Sequence, residues 1–427
     1  MYYLPIYLHI KMQIYNFAVL TINTHIMENI EFKTLIDNYH RKIRRIPAKF
    51  KRYLYDKINW DARMIGIKGA RGVGKTTLLM QHILNTYKDI DLTIYASLDD
   101  LWFQAHTLME LVDWADQRGI DRLYLDEVHR YPNWALNLKN IYDNYPDMKI
   151  VYTSSSILNM DNSTVDLSRR QTVYMLYGLS FREFLEFEGV IKMPALSLSQ
   201  LLENHVKTAM EIVGQTKIAT LFEKYLTQGY YPFYKAVGDD WRSQLRAIVT
   251  VVVENDLPAV ESISFDTIQK TKKLLMLICG QVPFIPNMRI LWKQLETNND
   301  LGLKMLYALD KAQILTLLTK KAKNYKHLCK PDKIFLNNTT LMHALCSMVD
   351  KGNERETFFL SMVSVGCEVQ MPEDGDFFLD SKYLFEVGGK KKNFNQIKDI
   401  ENSFLAVDDT EVGYASRIPL WMFGLLY

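Results

Sequence analysis

Gly69-Ala70-Arg71-Gly72-Val73-Gly74-Lys75-Thr76-Thr77 is a complete G-x-x-x-x-G-K-[ST] loop, and what flanks it decides the fold. Before it, Met64, Ile65 and Ile67 make a short apolar run suited to a strand. After it, Leu78, Leu79, Met80, Ile83 and Leu84 recur at helical spacing. Strand, glycine loop and helix in that order form a phosphate cradle. The glycines let backbone N–H groups turn inward, Lys75 offers a point charge to the β- and γ-phosphates, and the Thr76 hydroxyl suits Mg²⁺. The phosphates then lie at a helix N-terminus, where the dipole favours anions. Residues 69–77 are therefore the expected nucleotide-binding set.

A chain of 427 residues exceeds what one core usually supports, so several domains are expected. Its 51 basic and 49 acidic residues leave no global field that demands nucleic acid or membrane. Cys279, Cys329, Cys346 and Cys367 lie far apart without a C-x-x-C pair, which argues against zinc and a disulfide scaffold and for a reducing cytoplasm. Residues 1–26 are rich in Tyr, Ile and Leu, but His9, Lys11, Gln13 and Asn16 interrupt the run before it can span a bilayer. Met27 opens a more ordinary soluble sequence, and residues 1–26 are expected to be disordered or an upstream-start extension.

Residues 27–60 form a basic segment. Its stretch from Arg41 to Arg52 holds seven cations in twelve residues. The expected reading is a solvated helix face with Ile43, Ile46 and Phe50 turned inward; the other is a strip that contacts nucleic-acid phosphates. Strand-like runs at Leu92–Ala96, Arg122–Leu125, Lys149–Tyr152 and Thr172–Leu176 alternate with stretches long enough for helices, which predicts a parallel α/β sheet over 61–190. Leu123-Tyr124-Leu125 delivers Asp126 and Glu127, about fifty residues beyond the loop. Asp126 can hold the Mg²⁺ sphere and Glu127 can polarise water, the Walker B arrangement. The following run ends in Thr153-Ser154-Ser155-Ser156, whose hydroxyls suit a γ-phosphate sensor, with Thr153 and Ser154 both open. Arg169 and Arg170 are open between an arginine finger, in cis or across a subunit boundary, and a surface role.

These motifs, with Tyr95-Ala96-Ser97-Leu98-Asp99-Asp100, His129 followed by Trp134, and Leu179-Ser180-Phe181-Arg182-Glu183-Phe184, resemble a family of prokaryotic AAA+-type ATPases that carry a C-terminal domain of unknown function. The resemblance extends through Gln228-Gly229-Tyr230-Tyr231-Pro232, Asn255-Asp256-Leu257-Pro258 and Phe385-Glu386-Val387-Gly388-Gly389-Lys390, and so covers nearly all of residues 30–427. It implies an ASCE-class sheet of order 5-1-4-3-2 and ATP as the nucleotide, and it supplies no settled substrate. Where relatives tend to read Thr-Gly-Ser-Ser, this chain has Thr153-Ser154-Ser155-Ser156.

Leu201, Val206, Ile212, Ile218, Leu221 and Leu226 give 191–262 a helical pattern, read as a lid. Residues 263–350 continue helically, broken near Pro283 and Pro286, and the 301–318 stretch suggests a winged helix with Lys304 on its recognition helix. In 351–427, Glu356, Asp376, Glu386 and Lys390 resemble the acids and lysine of restriction-endonuclease-like folds. Gly388 stands where the lysine is expected, so a degenerate domain is the reading preferred over an active nuclease. The sequence thus predicts an α/β P-loop NTPase sheet followed by helical-lid, winged-helix-like and small α+β domains. It predicts a Mg²⁺-dependent ATPase with a regulatory or DNA-associated task and DNA or protein partners, with homo-oligomers possible for an arginine supplied in trans. The alternative is a non-hydrolysing nucleotide switch, against which the second acid, Glu127, speaks.

Overall fold

The computed structural model describes residues 32–47, 49–155, 167–260, 263–280, 285–320 and 330–427. The expectations for residues 1–26, Ser156, Pro283 and Cys329 lie outside them. Five parallel strands, β1 (Met64–Gly69), β2 (Thr93–Ser97), β3 (Arg122–Asp126), β4 (Lys149–Ser155) and β5 (Thr172–Met175), lie in the order β2-β3-β4-β1-β5. Read from the other edge, this is the expected 5-1-4-3-2. Helices cover both faces: α1 (32–43), α2 (Lys75–Thr86), α3 (Leu108–Asp116), α4 (Trp134–Asn144) and α5 (Phe181–Phe187).

The period-two geometry of a strand divides the core cleanly. Met64, Ile94, Leu123 and Ile150 join one apolar cluster, with α3 and α4. Their neighbours Ile65, Tyr95, Tyr124 and Val151 join another, with α2. Short sequence signals set the helix starts. Thr107 caps α3 and Ser180 caps α5, each in a reciprocal box with an acid three residues on, Glu110 and Glu183.

The chain then runs through α6 (Leu198–Val213), α7 (Ile218–Lys224), α8 (Tyr234–Val237), α9 (Trp241–Val251) and α10 (Leu257–Val260). Two π-helical turns, Tyr225–Gly229 and Val252–Asp256, interrupt this set. Next come α11 (Phe265–Cys279), α12 (Met288–Gln294), α13 (Asn299–Lys311) and an antiparallel pair, β6 (Leu315–Leu318) with β7 (Lys333–Leu336). After α14 (Thr339–Leu345) and α15 (Lys351–Val363), a second sheet follows: β8 (Val369–Gln370), β9 (Phe377–Leu379), β10 (Tyr383–Gly388), β11 (Ser403–Val407) and β12 (Arg417–Pro419). Its order is β12-β11-β10-β9-β8, antiparallel from β8 to β10 and parallel from β10 to β12.

A single apolar cluster crosses the expected divisions at 191, 263 and 351. It joins Leu78 on α2 to Tyr225, Leu306, Phe358 and Phe423. Burying each such side chain contributes about 1.5–3 kcal/mol, so the halves are joined by core and not by a polar seam. Among the described residues, no helix is long and apolar enough to cross a membrane.

Candidate nucleotide site

The loop between β1 and α2 takes the conformation its glycines permit. Gly72 has φ +89° and Gly74 φ +97°, the left-handed region that a side chain resists. The space is closed as well, since a Cβ on Gly72 would come 3.0 Å from the Phe233 ring. Lys75 is buried, and its ammonium donates to the carbonyls of Gly69 at 2.9 Å and Ala70 at 3.2 Å. Burial pulls its pKa down, while Glu127 and Asp126 oppose that shift. The remaining loop residues, Ala70, Arg71, Val73, Thr76 and Thr77, follow β1 into the first turn of α2.

Asp126 ends β3 nearly fully buried and gathers three hydroxyls. The Thr76 hydroxyl donates to its Oδ2 at 2.6 Å, the Tyr95 hydroxyl to the same oxygen at 2.8 Å, and the Thr153 hydroxyl to its Oδ1. A carboxylate and a hydroxyl this close are hard oxygen donors of the kind Mg²⁺ takes, with water and substrate phosphates completing its sphere. Glu127 is the next residue and sits at φ +54°, strained for a side chain that has a Cβ. The turn separates the two carboxylates. Asp126 stays in the strand, while Glu127 faces Lys75 at 3.9 Å, Arg71 at 4.0 Å and His129 at 3.5 Å. Burial raises the Glu127 pKa, against the lowering effect of Lys75. His129 Nδ1 accepts the Ser155 N–H at 3.3 Å, which leaves the Nε2 proton facing Glu127; burial pushes its pKa to about 4.

The structure separates the two sensor candidates. Thr153 accepts the Glu127 N–H at 3.0 Å besides donating to Asp126, so it bridges both acids. The Ser154 hydroxyl turns to the Ser155 carbonyl at 3.4 Å. Arg170 is engaged at the surface by Asp143 of α4, at 2.9 Å, and Arg169 is exposed beside it. The arginine that meets the acids is Arg71, from within the loop. Its Nε lies 3.5 Å from Asp256, whose other oxygen holds Arg130.

Four contributors escaped the sequence reading. Arg52, the last cation of the basic run, is buried; it donates to the Val73 carbonyl, to the carbonyls of Tyr177 at 2.7 Å and Gly178 at 2.8 Å, and to Glu183. Ahead of it, Arg41, Lys42, Arg44 and Arg45 are exposed, which both readings of the run require. Glu183 both caps α5 and neutralises Arg52. Gln313, beyond α13 and at φ +58°, accepts the Ala70 N–H at 3.2 Å. Asp256 is the fourth. The resemblance marked its segment, as it did that of Glu183, but only packing brings Asp256 within reach of Arg71.

The C-terminal cluster is arranged differently from the expectation. Lys390 is exposed, and its carbonyl accepts from Arg417. Lys392 instead reaches Glu386 at 2.7 Å, with its stem over Gly388 where a Cβ would come within 2.8 Å. Lys333 takes Glu356 at 2.5 Å, and Asp376 accepts the Val387 N–H at 2.8 Å. Glu386 lies inside β10 and not at its end. Each acid has one cation or N–H partner, while Glu386 Oε2 is buried without a hydrogen bond among the described residues. Among the described residues, no group of three or more His, Cys, Asp or Glu gathers to hold a metal.

A family model described as an AAA domain matches residues 61–185, the span from the strand before the loop through α5. Residues 61–185 are an AAA domain. The chain is also similar to solved structures: AMPPCP-bound DnaA from Aquifex aeolicus (18% identity, 60% of this chain and 83% of that one, TM-score 0.24), C. elegans PCH-2 (19%, 42% and 49%, 0.24) and the S. cerevisiae Hsp104-ADP complex (15%, 64% and 37%, 0.26). Likenesses at such TM-scores carry no argument about this chain's task. No curated protein matches it. The AAA domain accounts for the nucleotide site, while Asp256 and Gln313 reach that site from outside it.

Proposed function

We propose that the AAA domain hydrolyses ATP with Mg²⁺ and that the helical half seated on its loop responds to the nucleotide. The observation that carries hydrolysis, as against binding alone, is the divergence of the two acids. Asp126 is tied to Thr76 at 2.6 Å, whereas Glu127 is turned by a left-handed backbone into the space before Lys75. In this reading the loop N–H groups and Lys75 bind the phosphates, and Thr76 and Asp126 would hold Mg²⁺. When bound, the ion neutralises charge developing on the phosphate oxygens. Glu127 takes a proton from the attacking water, and burial makes it a stronger base than a solvated carboxylate. Thr153 holds both acids in register. A pure nucleotide switch would have no use for Glu127 in that position.

A DNA-associated task is supported by the exposed Arg41, Lys42, Arg44 and Arg45, and it predicts stimulation by duplex DNA that fades with salt. Single-turnover hydrolysis by Glu127→Gln tests the central claim. The expected result is a loss of about 10²–10⁴-fold, the usual contribution of a positioned general base, with ATP still bound. An unchanged rate removes Glu127 from the mechanism.

A further inference from the structure

We infer that Arg71 is the arginine that stabilises the transferred phosphoryl group, supplied in cis from the loop itself, and that Asp256 is the positioning residue that aims it. This rests on the reading of the site as hydrolytic. The loop's cradle is made by backbone N–H groups and Lys75, and nothing in it calls for a guanidinium at its third position. The Arg71 side chain is one-third exposed and leans over the loop toward the acids, with Nη2 4.0 Å from Glu127 Oε2. That is the side on which a γ-phosphate, bound by Lys75 and faced by Glu127, has to lie.

Asp256 fixes the orientation. Its carboxylate is 1% exposed, and it approaches Arg71 by the Nε edge, at 3.5 Å, so that Nη2 is the nitrogen turned to Glu127. Arg130, four residues beyond Asp126, holds the other carboxylate oxygen, so Asp256 is itself locked to the Walker B side of the site. It is carried on the π-helical turn Val252–Asp256, the last turn before α10, and π-helical turns recur at functional sites. The AAA domain alone therefore lacks the residue that aims its own arginine. A shift of the 252–256 turn would misdirect Arg71 without disturbing the phosphate cradle, which makes the turn a point of coupling between the helical half and the rate of hydrolysis.

The test is a mutant cycle with single-turnover ATP hydrolysis, fluorescent-nucleotide binding and thermal melting on the full chain. Arg71→Ala should slow hydrolysis by about 10³-fold, the low end of what an arginine aimed at a transferred phosphoryl contributes, with ATP affinity little changed. Arg71→Lys, which keeps the charge but lacks the fork, should recover only a small part. Asp256→Asn should slow hydrolysis by about 10²-fold through misplacement, and it should have no further effect in the Arg71→Ala background. Arg130→Ala separates loss of Arg71 aim from loss of the Arg130 pair, because it should slow hydrolysis less than Asp256→Asn. Three results overturn the inference: an Arg71→Ala rate equal to wild type, an Arg71→Ala effect confined to ATP affinity, or an Asp256→Asn effect that persists undiminished without Arg71. A wild type that binds ATP and never hydrolyses it is a different failure, since it removes the hydrolytic reading and this inference with it.

Discussion

At the scale of single residues, two adjacent carboxylates are given different surroundings. Asp126 accepts three hydroxyls, from Thr76, Tyr95 and Thr153. Among the described residues, Glu127 has no hydroxyl partner of that kind. It is desolvated, and its nearest cations stand at 3.9 and 4.0 Å, so burial dominates and raises its pKa above the ordinary 4.5. With Glu127 as the proposed base, its deprotonated form is the active one, and kcat/KM for ATP should fall as pH drops through this raised value and level off above it; kcat/KM is the parameter that reports the free enzyme. A pH–rate profile checks this. The acid limb should have its midpoint above 4.5 and vanish in Glu127→Gln, and a midpoint at or below 4.5 would mean that a different group titrates. Residue identity here was legible in the sequence, because the loop and the Asp-Glu pair have fixed spacing. The choice between Thr153 and Ser154 was not. Adjacent strand residues point to opposite faces, and which face carries the acids depends on sheet register, here β3 beside β4.

At the scale of elements, the loop is supported from below by a buried ion pair. Arg52 links the chain before β1, the Val73 carbonyl, the 177–178 turn and the N-terminus of α5, while Glu183 answers it and also accepts the Tyr53 N–H at 2.6 Å. Both side chains are within 5% of full burial. Replacing one member leaves the other charged and buried, which costs about 3–5 kcal/mol. Arg52→Met should therefore lower unfolding stability in urea by that amount, and Arg52→Met/Glu183→Met should lose much less than the sum of the two single changes. A single-variant loss under about 1 kcal/mol, the range of an exposed pair, would show that the link is not buried in solution. The sequence hid this element. Arg52 closes a run of seven cations, and a run reads as a solvated face even when its last member turns inward. Lys392 was missed for a related reason. The two-residue offset from Lys390 depends on the turn after β10, where the missing Cβ of Gly388 leaves room for the Lys392 stem.

For the whole molecule, the consequence of a shared core is that the nucleotide should be felt far from the loop. The alternation of strands and helices was readable because apolar runs and turn residues are local signals, while the strand order came only from the family resemblance. The joining of the halves was not readable, because it depends on contacts such as Gln313 with Ala70, 243 residues apart in the chain. The C-terminal half reaches the loop at several points, among them Phe233 and Ile248 beside Gly72, Asp256 at Arg71 and Gln313 at Ala70. One apolar cluster then carries those elements to Phe423. If the halves were independent bodies, ligand linkage would stabilise only the AAA domain. With a continuous core, a nucleotide at about 100 times its Kd should add about 2.7 kcal/mol to the unfolding of the chain as one unit. Thermal melting followed by tryptophan fluorescence and by far-UV circular dichroism should give coincident transitions that move together on adding ADP and Mg²⁺. Hydrogen exchange should slow in 252–256 and 311–318 as well as in 69–77. Two transitions, of which only one moves with nucleotide, would contradict the shared core and with it the route by which Asp256 and Gln313 sense the loop.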